Sequence, residues 1–177
     1  TWPDATAPVI RRILAVPDAG STVNGDILPA VLPVRNSGSG RYTCAALRAN
    51  GKIGIGVELV DPANGGGTRL GIYRVRTFLD NTEVFKLQMD RFLMENRFNE
   101  ALSYYPFPVG QDGGPFLLQW RWPGNDCEMF NQTKSDGWID VPERAAEIRI
   151  EVADFAENKA TLIIPLQPDS AEVKPPV

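Results

Sequence analysis

The groups in this chain that can do chemistry are its carboxylates, lysines, tyrosines and hydroxyls, because the 177-residue sequence has no histidine. That removes His-based general acid–base catalysis, Ser-His-Asp and Cys-His nucleophiles, and His-containing zinc sites together. The stretch that looks most like a ligand site is "GKIGIGVELVDPANGGG" (51–67), where Gly51, Gly54, Gly56 and the run Gly65, Gly66, Gly67 flank Asp61. A phosphate cradle needs glycines directly between a strand and a helix N-terminus, so that free N–H groups face the anion. Here Gly54 and Gly56 sit inside the alternation Ile53, Ile55, Val57, Leu59, and a second strand, "LGIYRVRTFL" (70–79), follows the last glycine. These two glycines fall on the face opposite the isoleucines, where a missing side chain admits another backbone or an aromatic ring. A calcium site asks for about six to eight oxygens, usually with several carboxylates. Asp61 and Asn64 fall short of that, and Asp61 reads as the cap of its own turn. The pattern of alternating strand, Asp, then Asn recurs in "GVELVDPANGG" (56–66) and "RIEVADFAENKA" (149–160), which suggests two equivalent strand ends.

Other candidates are weaker. Asp90, Glu95 and Glu100 can serve as acid and nucleophile for glycoside hydrolysis only at a defined separation in a cleft. Surface ion pairing is the default for "DRF" and "ENR". Trp120, Trp122 and Trp138, with Phe116 and Phe130 nearby, offer rings on which a sugar face can stack, although packing a β-fold core is the ordinary use of such side chains. Alternation puts Trp120 and Trp122 on one face. "NQT" (131–133) has the N-glycosylation pattern, a three-residue match that a bacterial origin would make a matter of chance. Cys44 and Cys127 lack metal or redox spacing, and either one disulfide or two buried thiols fits them.

The elements that must position these residues are strands. "PVIRRILAV" (8–16), "DILPAVLPV" (26–34), "KIGIGVELV" (52–60), "LGIYRVRTFL" (70–79), "EVFKLQM" (83–89), "PFLLQW" (115–120), "AEIRIEVADF" (146–155) and "KATLIIPL" (159–166) are short and rich in Val, Ile, Leu and aromatics. Several alternate at period two, and Gly, Pro, Asn and Asp fill the gaps. "FLDNTEVF" and "DFAENKA" read as hairpins. "MDRFLMENRFNEALSYY" (89–105) has a possible apolar helical face that Pro106 and Pro108 end, so a short helix or a long ordered loop is expected around 90–105. The pattern predicts an all-β, antiparallel β-sandwich of one domain over 9–168, after a linker over 1–8 and before a flexible, Pro-rich tail over 169–177. A net charge of −4, with Arg11-Arg12 as the longest basic cluster, argues against nucleic acid as a partner. No apolar run reaches the ~20 residues a membrane-spanning helix needs. Beginning at Thr-Trp-Pro, the chain reads as a mature product or a piece of something longer.

The order of "APVIRRILAVP" (7–17), the glycine–Asp segment through "GIYRVRTFLDNTEVFKLQMDRF" (51–92), "RFNEALSYY" (97–105), "WPGND" (122–126) and "GWIDVPERAAEIRIEVADFAENKATLIIPL" (137–166) carries a resemblance. It is similar to the accessory C-terminal β-sandwich that follows the catalytic domain in bacterial lysostaphin-type (LytM-like) zinc metallopeptidases. The similarity covers nearly the whole chain. The family's peptidase carries zinc on H-x-x-x-D and H-x-H motifs and cuts peptidoglycan cross-links, and none of those ligands can be transferred here. The resemblance implies an immunoglobulin-like, non-catalytic scaffold or targeting domain of an exported cell-wall peptidase. An adjacent peptidase domain would be its partner and the periplasm or cell envelope its location, with no cofactor and no metal of its own. The alternative is a carbohydrate- or peptidoglycan-binding module using Trp120, Trp122 and Trp138. Glu157 departs from the family, standing where such sandwiches often place Gly in the last hairpin.

Overall fold

The computed structural model describes residues 4–62, 71–90, 101–107, 114–130 and 135–169. Its strands are β1 (Val9–Pro17), β2 (Thr22–Val23), β3 (Ala30–Gly38), β4 (Arg41–Cys44), β5 (Leu47–Asn50), β6 (Lys52–Val60), β7 (Arg74–Leu79), β8 (Thr82–Gln88), β9 (Leu117–Leu118), β10 (Ile139–Asp140), β11 (Ala146–Ala153) and β12 (Lys159–Pro168). A short 3-10 turn spans Glu128–Phe130. The protein is all-β, as its alternating patterns predict. The strand path β10-β6-β1-β3-β4-β12-β11-β7-β8 forms a large mixed sheet that nearly closes into a barrel.

Expecting purely antiparallel pairing is corrected at β12, which runs parallel to both β4 and β5. The reason is connection: no hairpin joins β4 or β5 to β12, and more than a hundred residues lie between them, so nothing imposes an antiparallel return. β12 has ten residues, and the two four-residue strands lie one after the other along it, Tyr42 opposite Leu162 and Leu47 opposite Leu166. Both expected hairpins form. β7 turns into β8 at Asp80-Asn81, with Leu79 opposite Thr82, and β11 turns into β12 through residues 154–158, with Ala153 opposite Lys159. "PFLLQW" keeps strand pairing only at Leu117 and Leu118, which lie against Val57 and Gly56 of β6. Residues 91–100, most of the expected helix or loop, and residues 170–177 of the expected 169–177 tail lie outside the described residues.

β1 and β6 are buried on both faces, which fixes where the aromatic rings go. Ile13, Ile53, Ile55 and Val57 face the main core with Val75, Phe85, Leu87, Ile150 and Leu162. Leu14 and Val16 face a second, smaller core with Phe116, Leu118 and Trp120. In register, Leu14 lies opposite Gly56 and Val16 opposite Gly54. A Cβ on Gly54 would come within 2.6 Å of Cε3 of Trp120, and one on Gly56 within 3.1 Å of Cβ of Phe116. The glycines of the opening run are therefore the space into which an aromatic layer packs. Gln119 closes the seam between β6 and β7. Its N–H donates to Ile55 O at 2.8 Å, and the Thr77 hydroxyl donates to its Oε1 at 3.2 Å, with both side chains buried.

Candidate functional site

The three tryptophans proposed from sequence come together. Trp120 is wholly buried, and its ring lies 5.9 Å from that of Trp122 and 5.1 Å from that of Trp138. Trp122 and Trp138 are half-buried and pack on the small core from outside. The three rings thus have two jobs: Trp120 is a floor, and the other two are walls.

Two turns hold the walls. Trp122-Pro123-Gly124-Asn125 is a turn closed by Asn125 N–H donating to Trp122 O at 3.0 Å, with Gly124 at φ +83°. Pro at the second position and a left-handed Gly at the third suit a type II turn. Asn125 is itself buried, and its Oδ1 accepts from Cys127 N–H at 3.2 Å. The facing turn, Asp136-Gly137, is tied across by Arg121 N–H donating to Asp136 O at 2.7 Å. Gly137 sits at φ +85°, where an added Cβ would strike Gln119 O and Phe85. Asp136 Oδ1 accepts from Trp138 N–H at 3.1 Å, and Arg121 Nε donates to Asn125 O.

Between the turns lies an open hollow of about 310 Å³, with Trp122 and Trp138 on its sides and Arg121, Asn125, Asp126 and Asp136 among its lining groups. Its size reaches the lower end of small-ligand sites, and apolar rings with a few placed polar groups are their usual composition. The polar residues here were not singled out from sequence. The signals present were turn signals, "PGND" and "SDG", each beside a tryptophan.

A second cluster lies at the far end of β6. Asp61 directly follows this strand and Asp154 directly follows β11. Each is 1% exposed, and with Asp4 they bring carboxylate oxygens within 4.8 Å of one another. The two recurring strand-Asp patterns therefore meet in space. Among the described residues these three are the group that can hold a cation. The hairpin accounts for Asp154. Its Oδ1 accepts from Asn158 N–H at 2.8 Å and its Oδ2 from Asn158 Nδ2 at 2.7 Å, while Asn158 Nδ2 also donates to Asp4 O at 3.1 Å. Asn64 lies outside the described residues.

Of the glycosidase candidates, Glu95 and Glu100 are outside the described residues, as is Asn131 of "NQT". Asp90 is exposed at the end of β8. Gln88 Nε2 at 2.9 Å and Tyr73 OH at 2.7 Å donate to it and hold its carboxyl below the usual range, the direction opposite to that a general acid needs. Cys44 and Cys127 are two free, buried thiols, and burial pushes Cys44 up to about 11. Phe116 packs in the small core and Phe130 in the main one.

No helix among the described residues is long and apolar enough to cross a membrane. No protein-family model, curated protein or solved structure matches this chain.

Proposed function

We propose that this chain is a non-catalytic accessory domain of an exported bacterial cell-wall peptidase, and that it targets the enzyme by binding the glycan of peptidoglycan. The observation that carries the binding half is the hollow, where Trp122 and Trp138 stand on a buried third ring with polar side chains between them. A pyranose ring has apolar C–H faces and a polar rim, and it matches such a site: the face covers indole and the rim finds Arg121 and Asp136. The non-catalytic half rests on the lack of histidine in a chain that resembles the partner of a zinc peptidase. The reading also takes the strand path as an immunoglobulin-like sandwich. β10, β6 and β1 would form one layer and β4, β12, β11, β7 and β8 the other, with β3 pairing into both.

Sedimentation with purified peptidoglycan tests this. The wild-type chain should be retained, and Trp122→Ala, checked for an unchanged fold by circular dichroism, should lose most of that retention. A wild-type chain that stays in the supernatant removes the binding half. The second reading, a scaffold that only holds an adjacent peptidase domain, draws on the resemblance and on the Asn158 bond that fastens residue 4 to the last hairpin.

A further inference from the structure

We infer that the hollow selects amino sugars whose nitrogen is a free ammonium group, over their N-acetylated forms and over acidic sugars. This rests on the glycan reading above. On a cell-wall strand it means hexosamine units whose amine is not acetylated.

The argument starts from the charges around the two rings. Asp136 is exposed, lines the hollow and forms no ion pair among the described residues. The Trp138 backbone N–H donates to its Oδ1 and holds the carboxylate at the turn that carries this ring, and both line the hollow. Asp126 adds a second acidic group to the lining. The basic group there, Arg121, has its Nε committed to the Asn125 carbonyl, which holds its charge at the Pro-Gly turn, and the two carboxylates of the lining outnumber it. An ammonium held between a carboxylate and an indole face gains Coulomb attraction from one and a cation–π contact from the other. An acetamide gains neither. A carboxylated or sulfated sugar meets acidic groups here, on a chain already at −4.

The test is a calorimetric titration of the full chain at low salt and mildly acidic pH with two probes, the trimer of glucosamine and the trimer of N-acetylglucosamine. The glucosamine trimer should bind about tenfold more tightly, and added sodium chloride should erode that preference. Asp136→Asn keeps an oxygen for the Trp138 N–H and removes the charge, so it should bind both trimers alike. Equal binding by the wild type, a preference indifferent to salt, or a preference that survives Asp136→Asn each overturns the ammonium inference and leaves the glycan reading standing. Failure of both trimers to bind overturns the two together. The salt series needs no variant, so the result does not depend on Asp136→Asn folding.

Discussion

Asp61 and Asp154 are each 1% exposed at one end of β6 and β11, whereas Asp126 and Asp136 stand exposed on the tryptophan hollow. β6 connects the two regions: Gly54 near its start packs on Trp120, and Asp61 follows its last residue. Both regions combine acidic residues with turns, yet the hydrogen bonds go to different places. Asp154 gives both oxygens to its own hairpin. Asp136 gives one to Trp138 and keeps the rest of its carboxylate at the mouth of a cavity. Asp154, spent on internal bonds, is structure, and Asp136, facing a shaped space, is available to a ligand.

The sharpest way to break this comparison is inside the aromatic cluster. Trp120→Ala removes a fully buried ring from beneath two others, and should cost about 3–5 kcal/mol by urea unfolding. Trp122→Ala removes a half-buried ring and should cost clearly less, while losing most of the glycan retention. If the two substitutions cost the same, the division into floor and wall is wrong.

At the other region, Asp154→Ala takes the acceptor from the half-buried Asn158 N–H and one of two acceptors from its amide, which keeps Asp4 O. The expected loss is about 1–3 kcal/mol, with peptidoglycan retention unchanged once the protein is folded. An effect on retention would mean that the two ends of β6 are coupled.

Parts of this arrangement were legible in the residues. "KIGIGVELV" gives β6 from Lys52 to Val60, and the glycines opposite Ile53 and Ile55 do receive aromatic rings. Alternation works there because β6 is long and its two faces differ in kind. "RYTCAALRAN" carries no strand pattern long enough to stand out, although β4 and β5 alternate buried and less buried positions. Four residues are too few for periodicity to register, and Arg, Ala and Asn are weak strand formers. Their parallel pairing with β12 spans more than a hundred residues of chain and leaves no local mark. For the site, tryptophan content pointed to the right place, but alternation did not place the rings. Residues 119–122 are not strand, and a Pro-Gly turn sets Trp122 against Trp120. The paired Asp patterns were visible as a repeat and silent about their meeting, because two strand ends become neighbours only through sheet order.

Glu157 is the smallest effect and tests the most specific of these sequence signals. The resemblance marks it as a position usually given to Gly, and the backbone there is left-handed, with φ +64°. A side chain in that region carries strain, which here is held by Arg74 donating to both carboxylate oxygens at 3.0 and 2.6 Å. Those bonds lower the Glu157 pKa in the folded protein. Its contribution is therefore complete above the ordinary glutamate value and fades as pH falls through the lower folded value. Glutamine suffers the same backbone strain, so the comparison with Glu157→Gln isolates the ion pair. The wild type should melt slightly higher than Glu157→Gln at about pH 6, and the gap should shrink as the pH falls below the ordinary glutamate value and close below the lowered folded one. A gap of constant size across that range would show that Arg74 does not hold the turn. Glu157→Gly removes strain and pair together, and should leave a melting point that depends less on pH than that of the wild type.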